Sequence, residues 1–186
     1  SKNPIVGWNP TPSTARIFNS AVLPYKDGFI GVFRADSKHI NPALHVGHSN
    51  DGIKWEFDDM PIAWVDEDGN PYNHEIHSYD PRLVEIDGRY YIIWCVDFAG
   101  CPTIGLGYTD DFKRFVRLEN PFIPFNRNGA LFPRRVNNKY LMLSRPSDSG
   151  HTPFGDIFLS ESPDLKYWGN HRLVMKSGLN WWQGTK

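Results

Sequence analysis

Short apolar runs separated by polar turns follow one another along the whole chain, and no stretch has the 3.6-residue period of an amphipathic helix. Three stretches share one order of features, an apolar run, a polar turn and a second apolar run. They cover residues 21–33, 82–94 and 130–143. The first two turns are Asp27-Gly28 and Asp87-Gly88, which are strong hairpin signals, whereas Asn137-Asn138 in the third is a weaker one. Each stretch therefore predicts a β-hairpin.

A second shared element follows each hairpin, a polar turn that closes on an aromatic residue. The three copies are HSNDGIKW, YTDDFKRF and SESPDLKYW, which end at Trp55, Phe115 and Trp168. Each repeat then contains about four short strands, which is typical of a β-propeller blade. We predict an all-β protein with blades at about 15–60, 78–120 and 127–175. Tandem β-sandwich hairpins are the structural alternative.

Three blades are fewer than a closed propeller requires, since closed propellers typically have four to eight. We therefore expect the chain to be the front part of a longer protein. Residues 61–77, between the first two units, mix acidic, Gly, Pro and His residues and are predicted to be a long loop over one face. His74, Glu75 and His77 in this loop lack a helical metal-binding frame, and no metal site is predicted.

Composition narrows the class of function. The formal net charge of -1 argues against nucleic-acid or membrane-surface binding driven by bulk charge. Aromatic residues make up 15% of the chain, which suits both a β-core and a carbohydrate site. No window reaches about 18 apolar residues, and the first residues lack a signal-peptide pattern, so a cytoplasmic location is expected. Cys95 and Cys101 are predicted to be free thiols, although a pairing between them stays open.

Two arginines mark the candidate chemistry. Arg127 and Arg145 lie just outside the two strands of the third hairpin, so pairing of those strands brings both to one end. A guanidinium offers a rigid fork of donors that matches phosphate or carboxylate oxygens. The alternative is a structural role in which both arginines bridge loop carbonyls.

Asp80, in the segment SYDPR, opens the second unit where the strand nearest the propeller axis would begin. The proline that follows favours an extended backbone at Asp80. A carboxylate in this place can act as a general acid, and capping of a local turn is the alternative. Asn19 and Arg127 open the other two units at equivalent places. We therefore expect Asn19, Asp80 and Arg127 to converge on the axis.

These segments resemble a known family. The strings SYDPRLVEIDGRYYIIWCVDF, PTIGLGYTDDF, PFNRNGALFPRR, LSRPSDSGHTPFGDIFLSESPDL and WWQGTK resemble glycoside hydrolase family 130, the β-mannoside phosphorylases. Within the family they are most similar to the 4-O-β-D-mannosyl-D-glucose phosphorylases. The resemblance implies a five-bladed β-propeller, of which this chain covers about the first three blades. Residues 1–186 would then be a single catalytic domain, incomplete at the C-terminus. No metal or organic cofactor is implied, and homo-oligomers occur among such relatives.

The resemblance also implies a reaction. Inorganic phosphate, a co-substrate, attacks the anomeric carbon of a terminal β-mannose with inversion, and β-1,4-mannosyl-glucose gives α-mannose 1-phosphate and glucose. Asp80 matches the catalytic acid, which passes its proton through the mannose 3-hydroxyl. The matching phosphate ligands are Arg127, Arg145 and Lys186, with Asn128 beside them. The matching sugar-binding residues are Asn19, Arg34 and Tyr79, and Asp97 is a candidate near the acceptor. His151 is a candidate near the acceptor or the phosphate, with a loop-bracing role as the alternative.

One departure from the family pattern leaves the acceptor open. Family members often carry a further arginine shortly after the one that matches Arg34, where this chain offers Lys38 and histidines. Glucose, N-acetylglucosamine and a longer mannan all remain candidates. Two alternative functions also stay open. A β-mannoside hydrolase on the same fold would use carboxylates in place of the cationic set, and a non-catalytic sugar-binding propeller would have no need of an acid at Asp80.

Overall fold

Thirteen strands in three sheets make up the regular structure in the computed structural model, which describes residues 3–39, 41–73, 77–147 and 155–176. The first sheet has the order β1-β2-β3-β4, formed by Thr14–Tyr25, Gly28–Ser37, Pro42–Ser49 and Glu56–Phe57. The second has the order β5-β9-β8-β7-β6. Its strands are β5 (Trp64–Val65), β6 (Ser78–Ile86), β7 (Arg89–Phe98), β8 (Cys101–Thr109) and β9 (Phe115–Arg117).

The third sheet has the order β10-β11-β12-β13, formed by Asn126–Leu131, Tyr140–Pro146, Ile157–Ser162 and Gly169–Met175. The all-β class and the three predicted units are therefore confirmed. In the described ranges, no helix is long and apolar enough to cross a membrane.

The hairpin turns follow the sequence signals at two of the three places. Asp87-Gly88 and Asn137-Asn138 connect their strands with positive φ at all four residues, as tight hairpin turns require. The predicted turn Asp27-Gly28 is wrong by one residue, because Gly28 already pairs with Tyr25 and the loop is Lys26-Asp27. Glycine is needed there for a different reason. A Cβ on Gly28 would lie 2.4 Å from the carbonyl oxygen of Ser49.

Neighbouring sheets pack face to face through two apolar clusters. Ile30, Val32, Leu44 and Val46 of the first sheet pack with Trp64, Ile92, Trp94 and Val96 of the second. Ile93, Ile104 and Leu106 of the second sheet pack with Leu131, Tyr140 and Met142 of the third. Full burial of one such side chain stabilises the fold by about 1.5–3 kcal/mol. The middle sheet is therefore covered on both faces, as an inner propeller blade is.

Part of the segment between the first two units is not the loop that the sequence predicted. Trp64 and Val65 form β5, which pairs in parallel with β9 at the outer edge of the second sheet. The Trp64 ring stacks on Trp94 at 4.5 Å between centroids and is buried between the first two sheets. A two-residue strand has no periodicity to read, and its position is determined by this long-range aromatic contact.

The innermost strands β1, β6 and β10 contact one another in the order β1, β6, β10 and place the site. Each contains an irregularity in its pairing at a corresponding point, between Ile17 and Ser20, between Tyr79 and Arg82, and between Arg127 and Ala130. Bulges of this kind redirect side chains and are common beside active sites. All three innermost strands therefore change direction at the same level of the structure.

Candidate active site

A cavity of about 660 Å³ lies at the level of the three bulges and is lined by residues from all three sheets. Its lining consists of Asn19, Ser20, Arg34, Tyr79, Asp80, Pro81, Arg82, Arg127, Asn128 and Arg145. The structure thus brings together seven of the ten residues singled out from the sequence. Two others, His151 and Lys186, lie outside the described residues. Ser20, Pro81 and Arg82 also line the cavity and were not predicted as site residues. The position of Arg82 two residues after Asp80 in the same innermost strand is the signal that points to it.

The backbone at the bulges corrects two predictions. Asp80 was expected to be extended because a proline follows it, but its φ is 53°, in the left-handed region, and Asn128 has a φ of 55°. Asp and Asn tolerate this region better than most other non-glycine residues, and the bulge outweighs the local bias of the proline. The pairing register of the innermost strands makes Phe18, Asp80 and Asn128 equivalent positions. The sequence predicted Asn19, Asp80 and Arg127 instead, which is wrong by one residue in the first and third blades.

The Asp80 carboxylate is held by groups of the first blade. Its Oδ1 accepts a hydrogen bond from Nδ2 of Asn19 at 2.8 Å, and Nη1 of Arg34 lies 3.5 Å from the same oxygen. The side chain is 32% exposed, so it remains accessible from the cavity. Both contacts end on Oδ1, so neither of these two groups engages Oδ2.

Arg127 and Arg145 are direct cross-strand partners in β10 and β11, as the predicted hairpin requires. Nε of Arg127 and both Nε and Nη1 of Arg145 are buried, and they have no hydrogen-bond partner among the described residues. Buried cationic N–H groups cost free energy unless an acceptor meets them. Loop carbonyls do not meet these three atoms in the described ranges. The donor set therefore fits an oxyanion better than it fits the structural alternative.

Asn128 is fixed beside this pair by a contact between the second and third blades. The backbone N–H of Asn128 donates to Sγ of Cys95 at 3.5 Å, and the thiol donates to Oδ1 of Asn128 at the same distance. Burial raises the pKa of the Cys95 thiol, so it stays protonated and serves as a donor rather than as a nucleophile. Cys95 and Cys101 are both free, which confirms the prediction of unpaired thiols.

Tyr79 lines the same cavity as Asp80 and the two arginines. Burial is the main cause that raises the pKa of its phenol to about 12, and the charge of Arg127 only partly opposes this effect. The ring also lies 5.7 Å from the guanidinium of Arg34. Tyr79 therefore remains a neutral hydrogen-bond donor at any pH at which an enzyme works.

Asp97, predicted near the acceptor sugar, is not among the residues that line the cavity. Its Oδ2 lies 3.0 Å from Nδ1 of His77, and the backbone N–H of Asp97 donates to the His77 carbonyl at 3.3 Å. These contacts tie the end of β7 to the start of β6. Within the described ranges, no three residues of the His, Cys, Asp or Glu types are grouped so that they would hold a metal ion.

The architecture matches five-bladed β-propeller enzymes, of which this chain covers part. The β-1,2-mannobiose phosphorylase of Listeria innocua, solved with β-1,2-mannobiose, superposes with a TM-score of 0.77 at 18% identity. The match covers 96% of this chain and 66% of that one. A thermostable family-43 glycoside hydrolase superposes with a TM-score of 0.65 at 17% identity, over 92% of this chain and 57% of the other.

Sequence comparisons are more specific. A beta-1,4-mannooligosaccharide phosphorylase of Ruminococcus albus is 50% identical over 189 residues, which cover 99% of this chain and 56% of that protein. A 1,2-beta-oligomannan phosphorylase of Thermoanaerobacter sp. is 29% identical, over 94% of this chain and 56% of the relative. The chain therefore spans about half the length of these curated relatives. The family model described as beta-1,4-mannooligosaccharide phosphorylase matches residues 2–186. This chain belongs to glycoside hydrolase family 130.

Proposed function

We propose that the protein cleaves a terminal β-1,4-linked mannose by inverting phosphorolysis and releases α-mannose 1-phosphate. The observation that carries this proposal is the combination, in a single cavity, of one carboxylate with two half-buried arginines whose buried N–H groups have no partner in the described ranges. An inverting hydrolase needs a second carboxylate to activate water. Phosphate is already a nucleophile, so a phosphorylase needs cations to hold it instead. Arg127 and Arg145 supply them, and no second carboxylate is among the described lining residues.

Arg127, Arg145 and Asn128 would hold phosphate below the anomeric carbon. A guanidinium fork binds phosphate oxygens with charge-assisted hydrogen bonds, each about 1.5–3 kcal/mol. Asn128 is kept beside the two arginines by its contacts with Cys95. Lys186, outside the described residues, would add a further cation to this set.

Asp80 would be the acid. Since Asn19 and Arg34 both contact Oδ1, the proton would reside on Oδ2 and pass through the mannose 3-hydroxyl to the glycosidic oxygen. Asn19, Arg34 and Tyr79 line the wall around Asp80 and would bind the mannose. His151 and Asp97 would lie toward the acceptor, the latter together with His77.

The substrate proposal is a β-1,4-mannosyl-glucose or a close β-mannoside. The Ruminococcus albus relative carries the name of a mannooligosaccharide phosphorylase, which favours mannose as a second acceptor to test. We further propose that residues 1–186 belong to one catalytic propeller domain that later residues complete, that the protein acts in the cytoplasm without a metal or organic cofactor, and that copies of it associate.

The test uses the complete protein with mannosyl-β-1,4-glucose and, in parallel, with β-1,4-mannobiose, each with and without inorganic phosphate. Mannose 1-phosphate and free mannose are quantified in the same reactions. We expect mannose 1-phosphate that depends on phosphate. Release of free mannose at the same rate without phosphate would instead identify a hydrolase. Binding of the disaccharide without any turnover would identify a sugar-binding propeller.

A further inference from the structure

Asp36 is a buried carboxylate that none of the proposed steps uses. It lies in β2 and is only 2% exposed. Its Oδ1 accepts a hydrogen bond from Nε of Arg34 at 3.1 Å, and its Oδ2 lies 3.7 Å from Nε of Arg16. Charged groups are rarely buried unless they are paired, and Asp36 is paired with two arginines on one blade.

Arg34 is held on several sides at once. Its Nε is engaged by Asp36, which lies two residues further along the same strand, and its Nη1 lies 3.5 Å from Oδ1 of Asp80 on the next blade. The face of its guanidinium lies 4.8 Å from the Phe18 ring, whose centroid is 5.0 Å from the guanidinium of Arg16. Arg34 therefore links a carboxylate outside the cavity to the proposed acid inside it.

We propose that Asp36 is a positioning residue, which orients Arg34 so that the guanidinium reaches Asp80. This inference rests on the proposed function, because it assigns a role relative to the acid of that reaction. A guanidinium is planar, so a hydrogen bond at Nε restricts the rotation of the whole group. The anchor thus determines which N–H groups face Asp80. Without it, the Arg34 side chain regains the rotamers of a long flexible chain, and its remaining contacts among the described residues are aromatic faces and one long contact to Asp80.

The arrangement also separates this role from binding of the anion. Arg127 and Arg145 belong to the third blade, whereas Asp36, Arg34 and Arg16 belong to the first. Loss of the Asp36 anchor should therefore disturb the position of the acid and the binding of the mannose, and it should leave the phosphate subsite unchanged. A merely structural role of Asp36 would predict a uniform loss of active protein, with no such selectivity.

The experiment measures kcat, KM for phosphate and melting temperature of Asp36→Asn, Arg34→Met and the double variant in the complete protein. We expect Asp36→Asn to lower kcat on the order of 10- to 100-fold, as misplacement of a catalytic contact by about 1 Å does, with KM for phosphate within twofold. If Asp36 acts through Arg34, the double variant is as slow as Arg34→Met alone. Glu56→Gln removes one carboxylate from the exposed edge of the same blade and is the matched control, with unchanged kcat expected.

Two results would overturn the inference while the proposed function stands. One is that the losses of kcat in the two single variants add up in the double variant, and the other is a kcat of Asp36→Asn within threefold of the wild type. If the wild type shows no phosphorolysis, both fall. Should Asp36→Asn not fold, Asp36→Glu keeps the charge but lengthens the anchor by one methylene. The proposal then predicts a loss of kcat of at least fivefold that disappears in the Arg34→Met background, and an unchanged kcat would refute it.

Discussion

Replacement of Arg145 by glutamine tests the proposed phosphate site most directly. Two of its buried N–H groups, at Nε and Nη1, have no partner among the described residues. A hydrogen bond between a charged group and an oxyanion contributes about 1.5–3 kcal/mol, so two contribute about 3–6 kcal/mol. Since about 1.4 kcal/mol corresponds to a tenfold change in affinity, Arg145→Gln should weaken phosphate binding about 10²- to 10⁴-fold. We expect a value of about 10²-fold, because water that enters the site replaces some of the lost hydrogen bonds.

Arg127 provides an internal comparison. Only its Nε is buried and unpaired in the described ranges, so Arg127→Gln should cost one such hydrogen bond, or about 10- to 150-fold. The two arginines are therefore ranked by the number of their buried N–H groups that have no partner in the described ranges. Arg145→Lys keeps the charge but loses the fork, and it should fall between the wild type and Arg145→Gln.

The assay is the initial rate of mannose 1-phosphate formation at saturating mannoside, as a function of phosphate concentration. Arg134→Gln, which removes an exposed charge near the opposite end of the same hairpin, is the control and should leave KM for phosphate within twofold. Melting temperatures are measured in parallel. Removal of a charge whose buried N–H groups have no partner in the described ranges should not lower the melting temperature.

Two results would refute the reasoning. A change in KM for phosphate below threefold in Arg145→Gln would show that the anion binds elsewhere. A large fall in melting temperature together with a proportional loss of all activity would show that Arg145 is a structural arginine.

Three further predictions concern the proposed acid, the core and the pH dependence of folding. Asp80→Asn should abolish turnover and leave disaccharide binding, measured by calorimetry, within about threefold, because the amide keeps the shape and loses the proton. Gly105→Ala should cost about 1–3 kcal/mol in urea denaturation, because its Cβ would lie 2.4 Å from the Trp94 ring. Burial lowers the pKa of His45, whose Nδ1 lies 2.9 Å from the Asp58 carbonyl. Protonation of His45 should therefore destabilise the fold as the pH falls below 6.5, and His45→Gln should reduce the dependence of stability on pH.

Each of these predictions has a control or a contradicting outcome. Residual turnover of Asp80→Asn near the wild-type rate would remove Asp80 from the reaction. Gly169→Ala, in an outer strand with no atom within 4 Å of the added Cβ, should change stability by less than about 0.5 kcal/mol. The sign for His45 follows from linkage. A lowered histidine pKa means that the unfolded chain binds more protons, so stability is complete above pH 6.5 and is lost below it. Equal slopes of stability against pH for the wild type and His45→Gln would contradict this assignment.

The blades and the arginine pair could be predicted from local patterns. Strand alternation, hairpin turns such as Asp87-Gly88 and the repeat of polar turn and aromatic are properties of neighbouring residues, and backbone sterics convert them into hairpins directly. The register of the third hairpin then places Arg127 opposite Arg145. The family resemblance added the mechanism, whose residue roles stay predictions.

Only the tertiary structure decided the details that depend on contacts between distant residues. The sequence does not show that Trp64 would stack on Trp94, that a bulge would turn Asp80 into the left-handed region, or that Cys95 would contact Asn128. Nor does it show that Asp36 would anchor Arg34 toward the next blade. The physical reason is the same in each case. Local propensity differences are about 1 kcal/mol or less per residue, and packing between blades outweighs them wherever the two conflict.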